Sequence, residues 1–191
     1  MIAWTIRRAE SADAPALAAL AARTFPLACP TEATQAEMAA HIADHLSATR
    51  FQTWLADPAT IIHVAEVADH IAGYVMICLE PEEETPEVAA LLTLRPACEV
   101  SKCYVESQAH GSGMASELMN VALNQARSLG ARGAWLGVNV DNARAIAFYG
   151  NCGFSTIGPR RYEVGGRAHR DYLMQIDLDT VPASYEPTVW L

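Results

Sequence analysis

The chain reads as an α+β protein, a mixed sheet with helices on both faces. Three features predict this. Two β-rich runs, 60–68 and 70–80, adjoin around Asp69-His70, the layout of an antiparallel hairpin. From 97 to 153, strand, helix, strand and helix signals alternate, with Gly at the turns. Two more strand-like runs, 154–164 and 167–178, then close the order around the turn VGGR. A doubly wound sheet would need regular βαβ alternation, and the first half does not supply it.

The elements follow in order. AWTIRRA (3–9) alternates in part and predicts a first strand. In SADAPALAALAARTF, Ser11 or Asp13 can cap a helix with Pro15 in its first turn, and Leu17, Leu20 and Ala21 recur at helical spacing. FPLACP (25–30) breaks that helix with two prolines. Residues 31–48 predict a second helix carrying Met38, Ile42, His45 and Leu46. FQTWLADPAT extends it or forms a short third helix ending before Pro58. PEEETPE (81–87) reads as a charged, solvated loop. A strand over 97–105 leads to a helix over 113–129, with Leu118, Val121, Ala122 and Leu129 on one side and Gly130 closing it. GAWLGVNV (133–140) is a strand, and DNARAIAFYGNCGF a short helix running from Asp141 to Gly153.

Composition narrows the function classes. The chain has 191 residues, 51% of them hydrophobic, enough for one domain with a substantial core. No apolar run approaches the roughly eighteen residues of a membrane span. The start, MIAWTIRRAE, lacks a signal-peptide layout, so a cytoplasmic protein is expected. Five scattered cysteines without a C-x-x-C pair predict free thiols, with neither zinc site nor disulfide framework. A net charge of −9 disfavours nucleic acid and anionic membranes as partners.

The chemistry gathers where the strand ending at Val105 meets HGSGMA. Glycine permits close approach and unusual backbone angles, and a helix start offers unpaired N–H groups with partial positive charge. Together they suit a phosphate or other anion. No G-K-[ST] follows, so this is not a Walker loop, and Ser116 stands where a dinucleotide fingerprint needs its third glycine.

The run His110-Gly111-Ser112-Gly113-Met114-Ala115 resembles the acyl-CoA-binding motif of the GNAT superfamily of N-acetyltransferases, Q/R-x-x-G-x-G/A after a strand and opening a helix. A second run, from Asn142-Ala143-Arg144-Ala145 through Phe148-Tyr149 to Gly153-Phe154, matches that family's N-x-x-A-x-x-F/L-Y-x-x-x-G-F. The resemblance covers 1–178 as a single N-acetyltransferase domain, leaving 179–191 as a C-terminal tail. It implies a mostly antiparallel central sheet of about seven strands, acetyl-CoA as cosubstrate and no metal. One position departs from the pattern: His110 replaces the usual Gln or Arg and carries no permanent charge.

Carried over residue by residue, the resemblance implies that Cys103, Tyr104 and Val105 pair with pantetheine through their backbone. Backbone amides of Gly111, Ser112, Gly113, Met114, Ala115 and Ser116 would hold the pyrophosphate, beside His110. Asn142 caps its helix or contacts pantetheine, with Ala145 behind it. Tyr149 stands where the family keeps a general acid for the leaving thiolate, and Glu99, six residues before Val105, is the candidate base. Alternation places Glu99, Ser101, Cys103 and Val105 on one face unless a bulge intervenes. Cys103 or Cys152 as an acylated nucleophile is disfavoured, neither having a neighbouring His.

For the acceptor, a looser resemblance to bacterial polyamine (spermidine/spermine) acetyltransferases suggests a small polycation, and Glu32, Glu37 and Asp44 could attract one. Arg160, Arg161, Arg167 and Arg170 argue the other way, towards an anionic group or a protein. Small-molecule and peptide amines, including a protein N-terminus or lysine, stay open, as does a non-catalytic CoA-binding module. The apolar end Val189, Trp190 and Leu191 can dock on the chain's own core or on a second subunit in a homodimer.

Overall fold

The backbone of seven strands forms one sheet in the order β1-β2-β3-β4-β5-β7-β6, and only the β4–β5 pair is parallel. The strands are β1 (Thr5–Arg8), β2 (Thr60–Val67), β3 (His70–Cys78), β4 (Ala97–Val105), β5 (Gly133–Asn139), β6 (Ser155–Val164) and β7 (Arg167–Asp177). The helices are α1 (Ala14–Thr24), α2 (Gln35–His45), α3 (Ala48–Ala56), α4 (Pro86–Leu91), α5 (Met114–Ser128) and α6 (Ala143–Asn151). This computed structural model describes residues 3–27, 29, 33–81, 84–164 and 167–182, with only the backbone for 162–164 and 167–169. Glu32, the VGGR turn's glycines, the Arg167 side chain and the apolar Val189–Leu191 end lie outside the described residues.

Local chemistry explains most boundaries. The β2–β3 hairpin turns on Ala68 and Asp69, both at positive φ (47° and 64°), one residue earlier than Asp69-His70 suggested. Helix α2 begins at Gln35, not at 31, because Thr34 and Glu37 form a capping box. Ser47 caps α3 as a separate helix. The loop expected at 81–87 gives way at its last two residues to α4: Thr85 caps it and Pro86 occupies its first position.

The sheet separates two apolar layers. On one face, Leu17, Leu20 and Ala21 of α1 and Phe51 of α3 pack on Ile62, Val64, Tyr74 and Met76. On the other, Leu118, Met119, Ala122 and Ala126 of α5 cover Ile61, Val75, Ile77, Cys98 and Leu136. Leu118 and Ala122 are buried as their spacing predicts, but Leu129, at the helix end, is 52% exposed. A smaller cluster joins Val88 and Leu92, around α4, to Trp135 and Leu173.

Candidate active site

The site begins with a fault in β4. Pairing with β3 runs Gly73↔Val105, Tyr74↔Tyr104, Val75↔Cys103 and Met76↔Lys102, then resumes at Ile77↔Val100 and Cys78↔Glu99, leaving Ser101 as an extra residue. This bulge corrects the single face expected for Glu99, Ser101, Cys103 and Val105. An extra residue inverts the alternation beyond it. Cys103 and Val105 therefore share the α5 face with Val100, while Glu99, Lys102 and Tyr104 share the α1–α3 face.

On its other edge, β4 pairs with β5 only at Ala97↔Gly133, Cys98↔Ala134 and Glu99↔Trp135. Beyond Glu99 the two parallel strands part. A cleft of about 1050 Å³ opens between them, walled by Ser101–Val105 on one side and Gly137–Asn139 on the other. It continues past His110–Gly113 to Ala115, Ser116 and Glu117 at the start of α5, and past Asn142, Ala145, Phe148 and Tyr149 on α6.

The turn into α5 is built on glycine. Gly111 (φ 78°) and Gly113 (φ 96°) occupy the left-handed region, and a Cβ on either would meet nothing within 4 Å. The unusual angles need glycine, while the space beside it is open. Gly113 caps α5, so the N–H groups of its first turn lack intrahelical partners. Met114 N–H donates to Ser112 Oγ at 3.3 Å, and Ser112 Oγ donates to Ala109 O at 2.7 Å. The Met114 side chain is core, fully buried, and does not line the cleft, unlike the rest of 110–116.

His110 makes two defined contacts. Arg144 Nη1 lies 3.0 Å from its Nδ1, and Val105 O lies 3.0 Å from its Nε2. A guanidinium only donates and a carbonyl only accepts, so the ring is the neutral tautomer with its proton on Nε2. The imidazole thus ties the end of β4 to α6 and sets Arg144 in the cleft wall. Sequence reasoning missed Arg144. The signal was available, since it lies two residues after Asn142 within the second motif.

Asn142 fulfils the capping alternative: its side chain accepts from Ala145 N–H at 3.0 Å while lining the cleft. About two helical turns beyond Asn142, Tyr149 packs against Phe148 and Phe154 at ring separations of 5.3 and 6.0 Å. Burial, reinforced by Cys103, Tyr104 and Cys152 nearby, raises its pKa far above the ordinary phenol value. The same desolvation pushes the Cys103 and Cys152 thiols up to about 12. Both stay protonated near neutrality, which removes the activation an acylated cysteine needs.

Glu99 is 6% exposed and does not line the cleft. It sits opposite Cys78 and beside Trp135, at the point where β4 and β5 separate. Of the α2 acids, Glu37 is engaged by Thr34 and Asp44 is exposed; neither lines the cleft. Among the described residues, no group of His, Cys, Asp and Glu side chains is arranged to hold a metal ion, and no helix is long and apolar enough to cross a membrane.

This geometry has relatives. Residues 19–154 match the model of the acetyltransferase (GNAT) family. An uncharacterized N-acetyltransferase of Mycobacterium tuberculosis (strain H37Rv) is 37% identical over 166 residues, spanning 87% of this chain and 98% of that protein. Its Mycobacterium bovis counterpart matches equally. Among solved structures, PaiA N-acetyltransferase of Thermoplasma acidophilum, in complex with coenzyme A, superposes with a TM-score of 0.73 at 13% identity, over 92% of this chain and 99% of that one. The ribosomal-protein-S18-alanine N-acetyltransferase of Escherichia coli gives a TM-score of 0.65 at 16% identity, over 99% and 100% of the two chains. These likenesses extend the family match to the whole fold, mostly antiparallel sheet included, and the chain belongs to the acetyltransferase (GNAT) family.

Proposed function

We propose that the protein transfers an acetyl group from acetyl-CoA to a primary amine of a small molecule, by direct attack in a ternary complex. The carrying observation is a single cleft that joins a glycine-built helix mouth, a parted pair of parallel strands and a half-buried tyrosine. The residues fit the cosubstrate. Open space beside Gly111 and Gly113 lets a diphosphate approach the first-turn N–H groups of α5. Arg144 adds a fixed positive charge there. The backbone of Cys103–Val105, beyond the last β4–β5 pair at Glu99↔Trp135, can bond an amide-bearing chain as a strand would. Bound there, acetyl-CoA supplies an activated thioester.

The chain's own groups then divide the work. Backbone N–H groups on the parted edge of β4 stand where they can stabilise negative charge developing on a carbonyl oxygen. Tyr149 keeps its proton through the neutral range, the condition for donating to a leaving thiolate. Full transfer to a thiolate whose parent pKa is about 8.5 is uphill for a phenol shifted above 10, so its main contribution is a hydrogen bond to the developing charge. Glu99, set back from the cleft, takes the amine proton through an intervening water rather than directly.

Calorimetry with coenzyme A and an amine panel scored by thiol release test this reading. Heat on binding and amine-dependent release of thiol are expected. Tyr149→Phe and Glu99→Gln should each lower kcat by about 10²-fold with acetyl-CoA affinity retained. Binding without turnover on any amine or peptide would mark a CoA-binding module instead.

A further inference from the structure

The acceptor end of the cleft has a chemical sign. Among the described residues, Glu117 is the one carboxylate lining the whole cleft, and it lies at the α5 end, held by Trp4 Nε1 at 2.7 Å. Arg144 serves that same end. On the opposite side of the parted strands, the charged side chain in the wall is Lys102. It is there because of the bulge: the extra Ser101 turns Lys102 onto the face it shares with Tyr104.

Lys102 is held in place. Its Nζ donates to Ser101 Oγ at 3.2 Å and lies 4.5 Å above the Trp54 ring. Phe25, Leu27 and Tyr104 wall the same end of the cleft with apolar surface. Phe25 in turn stacks on His41 at 4.5 Å. Burial chiefly depresses the His41 pKa, with Lys102 among the charges acting in the same direction and Asp44 opposing them. Across the gap, Arg160 Nη1 and Asp171 Oδ2 lie 2.8 and 3.4 Å from where a Cβ on Gly137 would stand, so charges of both signs sit behind that wall. On the same face, Tyr74 OH and Trp135 Nε1 are buried without a hydrogen-bond partner among the described residues. Glu99 and Asp171 share this face, but neither lines the cleft.

We propose that the acceptor is a primary amine that also carries a carboxylate, received by Lys102 at the mouth opposite α5. This rests on the acetyltransferase reading and names its substrate class. The apolar wall lowers the local dielectric, which strengthens a charge-assisted bond to the ammonium. A polycation at the same position would meet like charge.

A matched panel tests it: glycine, β-alanine, 4-aminobutyrate and 6-aminohexanoate, each beside its amide, with spermidine as the polycation. At least one acid should exceed its amide in kcat/KM by tenfold or more. Lys102→Glu should invert that ratio, raising KM for the acid while coenzyme A still gives its calorimetric binding signal. Equal or better turnover of amides or spermidine by the wild type overturns the carboxylate proposal and leaves acetyl transfer standing. An unchanged acid-to-amide ratio in Lys102→Glu overturns the assignment of Lys102. Coenzyme A binding with no turnover across the panel and peptide amines overturns both readings together.

Discussion

Gly113→Ala separates the cofactor cradle from the fold. Gly113 holds φ 96° at the cap of α5, and an added Cβ would touch no protein atom within 4 Å. The stability cost is therefore conformational, not steric. A non-glycine residue in the left-handed region costs about 1–2 kcal/mol, and the stiffer unfolded chain returns roughly 0.4–1. The net loss is about 1 kcal/mol, a fall of about 2–4 °C in Tm for a chain of this size. The same methyl projects into the space through which an anion reaches the first-turn N–H groups. Displacing even one charge-assisted hydrogen bond costs about 1.5–3 kcal/mol, so the Kd for coenzyme A should rise by roughly 10- to 100-fold. Differential scanning fluorimetry reads the first effect and titration calorimetry the second. A lowered Tm with an unchanged Kd would place the diphosphate elsewhere and refute the cradle.

Arg144→Gln should weaken coenzyme A by about tenfold or more and flatten the salt dependence of binding, because it removes a fixed charge. His110→Ala should weaken it less, since it releases the guanidinium without deleting it; titrations at two ionic strengths check both. Tyr149 stays protonated above the ordinary phenol range, so kcat should show no decline assignable to it up to about pH 10, as a pH–rate profile would reveal. Asp13 is bonded by Arg7 at 2.7 and 2.9 Å and by the Glu10 N–H at 2.7 Å. The Arg7 hydrogen bonds lead in holding its pKa below the unfolded value. That contribution is complete above the unfolded pKa of about 3.9 and vanishes as pH falls through the folded one. Asp13→Asn should thus cost about 1 kcal/mol at pH 7, discounted for the partly exposed guanidinium. The gap from wild type should close in denaturant titrations below pH 4.

Much of the fold was legible because the signals were local. The strand over 97–105 and the glycine-punctuated turns around α5 and α6 depend on neighbouring residues alone. Thr85-Pro86 is just as local a helix start, yet the acidic run beside it reads more readily as loop, and α4 went unseen. The bulge at Ser101 has no sequence mark, since it arises from how β4 fits β3. That is why Glu99 was expected beside Cys103 and stands on the other face. The partnership of His110 with Arg144 spans 34 residues and exists only once α6 is packed. Residue type suggested that His110 lacks charge; only the fold brings the Arg144 guanidinium beside it.

One structural event produces both ends of the site. Glu99 is the last residue of β4 paired to β5, and two residues later the extra Ser101 disrupts pairing with β3. A bulge bends its strand and sharpens the local twist, which swings the remaining half of β4 away from β5. In the proposed function, the backbone along this departing edge would receive the cosubstrate. The same insertion reverses the alternation, leaving Cys103 and Val105 towards α5 while Lys102 and Tyr104 turn to the opposite face. Without the extra residue, Cys103 and Val105 would share the face of Glu99, and Lys102 would point towards α5. On the proposed function, the bulge would couple cosubstrate binding to acceptor choice, since the distortion beside the slot also sets which side chains of β4 face the acceptor.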